Sequence, residues 1–193
     1  MMQLLFATHN QNKLKEVKNL IPKTIQLLSL ADFNITTDVD ETSDTIEGNA
    51  LLKARSIYDQ TGINCFADDS GLLVDALNGG PGVYSARFAG EQKNDDDNMR
   101  KLISALENET NRRAHFKTVI AVIIDKKEYL FEGIINGTII KEKKGNNGFG
   151  YDPIFMPYGY NQTFAEMSLE IKNNISHRAI ALKKMVSHLS SLR

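Results

Sequence analysis

The first 68 residues alternate two kinds of hydrophobic pattern, and that alternation does most to limit the folds open to this chain. Short apolar runs with strand character fall near residues 3–7, 26–30 and 64–68, and between them lie stretches with apolar side chains at helical spacing, near 12–21 and 46–60. Strands separated by helices of that length build a sheet with helices packed on it. The remainder predicts a helix near 95–106 with Met99, Leu102, Ile103 and Leu106 on one face, and a closing helix near 177–190. Strands near 113–124 and 127–136, joined at Asp125-Lys126, read as an antiparallel hairpin. No internal repeat, low-complexity tract or linker interrupts the sequence. The expectation is α/β, a mixed twisted β-sheet flanked by helices, in a single domain over residues 1–193.

Inside that frame, Phe66-Ala67-Asp68-Asp69-Ser70-Gly71-Leu72 stands out, because two carboxylates close an apolar run and a serine-glycine pair follows. Successive strand residues point to opposite faces, so Asp68 and Asp69 share a cavity only if the backbone bends, and Ser70-Gly71 permits a bend. Close carboxylates repel, and a hard divalent cation with oxygen ligands removes that cost. The acidic pair Asp40-Glu41, in a polar loop over 31–45, can supply further ligands. A solvated acidic turn is the plainer reading of the tetrapeptide by itself.

Three other segments carry chemistry. Thr8-His9-Asn10-Gln11-Asn12-Lys13 joins the first strand to the first helix, and backbone N–H groups at a helix start with a mobile ammonium suit a polyphosphate. It lacks the glycines of a Walker loop, and an ordinary capped helix start is the alternative. Lys144 to Pro153 places three glycines around Phe149 and Tyr151, which can stack on a planar base while Asp152 accepts a hydrogen bond, or can simply pack. Lys172 and Ser176-His177-Arg178 precede the last helix, with Ser176 as a candidate N-cap and two cations at the end where the helix dipole disfavours them. Two other runs have structural readings. Asp95-Asp96-Asp97 complements a helix N-terminus, and Gly79-Gly80-Pro81-Gly82 links elements, with Arg87 beyond it near a site or a subunit contact.

Taken in order, these segments resemble the inosine triphosphate pyrophosphatase family, hydrolases of non-standard purine nucleoside triphosphates. The resemblance rests on Thr8 to Lys13, on Glu47-Gly48-Asn49-Ala50 with Lys53-Ala54, on Ala67 to Leu72, on Pro81 to Arg87, on Gly148 to Phe155 and on Ile175 to Arg178. It implies a cleft between a main body and a smaller lobe, cleavage between the α- and β-phosphates to a monophosphate and pyrophosphate, Mg²⁺ as cofactor, and a homodimer. By resemblance Asp69 is the general base. Glu41, Asp40, Asp69 and Asp68 would hold the metal, with Glu41 placed before Asp40. Thr8, His9, Asn10, Gln11, Asn12, Lys13, Lys53 and Ser70 would bind the phosphates, with His9 turned to solvent. Phe149, Gly150, Tyr151, Asp152, Lys172, His177 and Arg178 would bind the base, with donors of His177 or Arg178 aimed at the 6-oxo group. His9 stands where the family often has glycine, and Ser43 replaces a usual glycine after the acidic pair.

Composition narrows the rest. A formal charge of −1 without long basic runs argues against a nucleic-acid surface. The single Cys65 allows no internal disulfide and reads as a buried small hydrophobe. No apolar stretch approaches the roughly 20 residues of a membrane span, and the start lacks signal-peptide character, so a cytoplasmic protein is expected. Two rivals remain: a related pyrophosphatase of pyrimidine or methylated nucleotides, and a nucleotide-sensing module that binds without turnover.

Overall fold

The computed structural model describes residues 2–192. Its first three strands, β1 (Met2–Phe6), β2 (Ile25–Ser29) and β3 (Cys65–Val74), are connected through α1 (Gln11–Lys18) and α2 (Ile46–Thr61). β1 pairs in parallel with both β2 and β3, which the helical crossovers make possible. The chain continues through β4 (Pro81–Gly82), α3 (Asp95–Ala105), β5 (Arg113–Ile124), β6 (Lys127–Ile139), β7 (Phe155–Pro157), α4 (Leu169–Ile175) and α5 (His177–Ser191). The seven strands form one mixed sheet in the order β2-β1-β3-β5-β6-β7, with β4 antiparallel to β3 and β7 antiparallel to β6. Asp125 and Lys126, at φ 48° and 68°, join β5 to β6. Two central residues at positive φ make the primed turn whose twist matches paired strands. The Asn64 side chain accepts the Asp125 N–H at 2.9 Å and helps to fix that turn.

The chain divides into two compact units. One comprises the residues up to Asp69, Thr118–Gly133 and those from Arg178 on. Its core sets Leu4, Phe6, Phe66, Ile120 and Val122 of the sheet against Leu14 and Val17 of α1 and Ala181, Leu182, Met185 and Leu189 of α5. The register partners Phe6 and Phe66 stack with centroids 4.4 Å apart. Full burial of a side chain of this kind stabilises by about 1.5–3 kcal/mol, so the apolar stripe of α5 is enough to fix its face. The second unit comprises Ser70–Lys117 and Ile134–His177. There Leu72, Val74, Phe116 and Ile139 pack with Met99 and Leu102 of α3, with Leu106 just past its end, and with Tyr151, Phe155 and Phe164. Among the described residues, no helix is long and apolar enough to cross a membrane.

The strand expected to close at Asp68 instead runs on to Val74, and Ser70-Gly71 lies inside it without a bend. Alternation therefore governs the two carboxylates. Phe66 and Asp68 share the face covered by α1 and α5, while Cys65 and Asp69 share the α2 face, where the Cys65 thiol donates to Ala54 O. The apolar run resumes at Leu72 because the chain keeps the strand period through the two charges.

Candidate active site

On the α1 and α5 face, four charged side chains interlock. Asn10 caps α1 by accepting the N–H groups of Asn12 and Lys13 at 2.9 and 3.1 Å. The Lys13 ammonium then lies 3.1 Å from Asp68 Oδ1. Arg178, in the first turn of α5, donates Nε to Asp68 Oδ2 at 3.0 Å and Nη1 to Glu16 of α1. The guanidinium and both acids are buried. Burial would push the Asp68 carboxyl up, but the Lys13 ammonium and the Arg178 guanidinium outweigh it and hold the group well below the usual carboxylate range. Burial also draws the Lys13 ammonium down, against the pull of Asp68. Two cations and two anions balance here.

On the α2 face two acids meet at Lys53. Lys53, on α2, donates to Glu41 Oε1 at 2.7 Å and to Asp69 Oδ1 at 3.0 Å, so one ammonium serves two carboxylates. Burial alone would lower the Lys53 ammonium, yet Asp69 and Glu41 together raise it. Burial raises Asp69, and Glu41 adds to the rise against Lys53 and Lys13. Burial is the main cause of the Asp69 rise, while at Lys53 the two acids outweigh burial. Two neighbouring carboxylates are oxygen donors of the kind a hard divalent cation takes. Of the acidic pair, Glu41 is the one brought to Asp69; Asp40 is exposed and lines a surface hollow with Val39, Ser56 and Ile57. Asp68, on the opposite face and held by two cations, does not join them. No group of three or more His, Cys, Asp and Glu side chains placed to hold a metal occurs among the described residues.

The amides of Thr8, Asn10, Asn12 and Lys13 already donate within the protein, to Phe6 O, Thr8 Oγ1 and Asn10 Oδ1. His9 is exposed, with its Nε2 3.3 Å from Thr37 O and 3.7 Å from Asp38 Oδ1. Gln11 extends its side-chain amide to His9 O. Ser70 follows Asp69 on β3, at the start of the second unit.

That second unit holds a constellation of its own. The Lys172 ammonium lies 2.5 Å from Asp152 Oδ2, and the same oxygen accepts the Phe149 N–H at 2.9 Å. Gly148, at φ +79°, leaves room for that carboxylate, since a Cβ there would lie 2.0 Å from Asp152 Oδ2. Lys172 also sits 5.0 Å from the centroid of the half-buried Phe149 ring. His177 is buried and stacks on Phe116 at 4.6 Å with 11° between planes. Asp95 Oδ2 accepts the Gly150 N–H at 2.7 Å, which ties the glycine loop to α3. Two expectations change here. Tyr151 offers no stacking face, because its ring is 4 % exposed in the core and its hydroxyl donates to Ser85 O. Arg178 turns its Nε and Nη1 to Asp68 and Glu16, so those donors do not face a purine edge.

Sequence reasoning missed Glu16 and the bond from Asp95. Glu16 was detectable as an acid inside the apolar stripe of Leu14 and Val17, one turn after Lys13. Asp95 was read only as a helix-start acid, since its partner lies 55 residues away.

The sequence model of the Ham1 family matches residues 4–188. The chain is 55% identical to the dITP/XTP pyrophosphatase of Flavobacterium johnsoniae, over 100% of both chains. It is 52% identical to the protein of that name from Christiangramia forsetii, over 98% of this chain and 100% of the relative. Among solved structures, the Staphylococcus aureus Ham1 protein superposes with a TM-score of 0.90 at 40% identity, covering 99% of this chain and 100% of that one.

Proposed function

The chain belongs to the Ham1 family, and from that premise we propose that it hydrolyses non-standard purine nucleoside triphosphates, dITP, ITP and XTP, to the monophosphate and pyrophosphate. The observation that carries the reading is the Glu41, Lys53 and Asp69 cluster, a buried base of raised proton affinity beside an acid-rich, cation-seeking centre. The relatives named dITP/XTP pyrophosphatase support the substrate class.

The chemistry follows from charge. Water attacks the α-phosphorus, the bond from that phosphorus to the bridging oxygen breaks, and pyrophosphate leaves. Asp69 is the residue to orient that water and hold its proton, because its raised proton affinity lies nearer the working pH than that of an exposed aspartate. Glu41 and Asp69 suit a magnesium ion, which commonly takes one or two protein carboxylates and completes its shell with water and substrate phosphates. When bound, Mg²⁺ supplies charge neutralisation on the phosphate oxygens. Lys53 and Lys13 bring cations to the phosphate end, and Lys13 is aimed by its bond to Asp68. Arg178 acts at that end by holding Asp68.

For the base, Phe149 supplies a partly exposed ring, while Lys172, Asp152 and His177 supply polar groups in the same unit. A donor at the purine 6-position pairs with the oxo group of hypoxanthine or xanthine and meets a donor in adenine. Mismatch of that kind in a hydrogen-bonding site costs about 10⁴ in selectivity. A homodimer and a cytoplasmic location complete the proposal, both on the strength of the family.

Timed incubation with Mg²⁺ and separate inosine, deoxyinosine, xanthosine, adenosine and guanosine triphosphates, with products resolved by ion exchange, tests the reading. Pyrophosphate from the inosine, deoxyinosine and xanthosine compounds, with the adenosine compound largely intact, is the expected result. Equal turnover of adenosine triphosphate, or binding without turnover, would overturn it.

A further inference from the structure

Glu41 belongs to the long polar loop between β2 and α2, so the two-carboxylate centre exists only if that loop is held in register with Lys53 on α2. Two residues at the start of α2 do this. The Asn49 side chain, fully buried and one turn before Lys53, accepts the Ser43 N–H through Oδ1 at 2.9 Å. Ser43 is two residues beyond Glu41. Ser43 in turn packs directly over Gly48, where a Cβ would lie 2.0 Å from Ser43 Oγ and 2.7 Å from Ser43 Cβ. The Thr45 hydroxyl accepts the Gly48 N–H at 3.0 Å and closes the turn. Among the described residues Asn49 Nδ2 has no hydrogen-bond partner, so the side chain's bond to the loop runs through its acceptor.

We infer that Asn49 and Gly48 are positioning residues that seat the loop on α2 and thereby fix the Glu41 carboxylate beside Asp69, setting how tightly the centre binds a divalent cation. The inference rests on the function proposed above and adds residues to which that function gave no role. Residues that orient ligating carboxylates typically change metal affinity by about 10–100-fold when altered.

The test uses Asn49→Leu, which keeps the bulk and removes the acceptor, and Gly48→Ala, which keeps Asn49 but presses a methyl group on Ser43. In Asn49→Leu the half-saturating Mg²⁺ concentration for pyrophosphate release should rise about tenfold or more, with turnover at saturating magnesium largely kept. Hydrogen exchange of the Ser43 amide in substrate-free protein should quicken in parallel. Gly48→Ala should move both readouts in the same direction, and it carries the test if Asn49→Leu does not fold. A purely structural role would lower thermal stability and leave the magnesium requirement of the folded fraction where it was, and that result overturns the inference. Wild-type protein that releases no pyrophosphate would instead overturn the function on which it rests.

Discussion

Replacing Arg178 with methionine should reveal how much the buried charge lattice under Asp68 contributes to the fold. The guanidinium side chain is 2% exposed and is the cation shared by Asp68 and Glu16. Methionine fills much of its volume but removes the guanidinium from both buried acids, leaving Asp68 the Lys13 ammonium 3.1 Å away. Breaking a buried pair by removing one member destabilises by about 3–5 kcal/mol, against a total of about 5–15 kcal/mol for a folded domain. For a chain of this size each kcal/mol shifts the melting temperature by about 2–4 °C, so a fall of about 6–20 °C is expected. The pH dependence separates this cause from lost packing. In the native protein the depressed Asp68 carboxyl binds fewer protons than in the unfolded chain. Its stabilisation is therefore full above the ordinary carboxylate value and is lost as pH falls towards its depressed one. In the variant the stranded acid takes up a proton as pH falls, which relieves the defect. The stability gap between the two proteins should thus be widest near pH 7 and narrow towards about pH 4. Urea unfolding followed by circular dichroism at several pH values measures it. A gap below about 1 kcal/mol, the usual worth of an exposed pair, or one that ignores pH, would refute the reasoning.

Other outcomes follow from the same geometry. Asp69→Asn should lower kcat by about 10²–10⁴, the usual worth of a positioned base, and near-native turnover would remove Asp69 from that role. Lys172→Met should cost about 3–5 kcal/mol by removing the cation beside the buried Asp152, whereas pairing it with Asp152→Asn should recover part of the loss in a double-mutant cycle. Cys65, whose thiol burial pushes up to about 12, should resist thiol reagents in the native protein and react once it is unfolded.

Much of the framework was legible in local sequence. The helices expected near 12–21 and 95–106 begin at Gln11 and Asp95, each preceded by an asparagine whose side chain accepts backbone N–H groups, and the Asp125-Lys126 turn closes the expected hairpin. The course of β3 was not legible. A glycine after two acids reads locally as a turn, and only sequence-distant cations make those acids tolerable within a strand: Arg178 is 110 residues from Asp68. The same limit hid the division of labour between the two aspartates, since their faces are assigned by a strand that the local signal ended too soon. Tyr151 was misread for a related reason, as its neighbours Gly148 and Gly150 mark a loop while the ring itself enters a core built from β3, β5 and α3. The elements β7 and α4 went unpredicted because each is too short to show a period.

The proposed reaction has water attacking the α-phosphorus, and hydrolysis of inosine triphosphate in ¹⁸O-enriched water tests that step most directly. Mass analysis of the products should find the heavy oxygen in the inosine monophosphate and none in the pyrophosphate. Label in the pyrophosphate, or a yield of inosine diphosphate and orthophosphate, would contradict it.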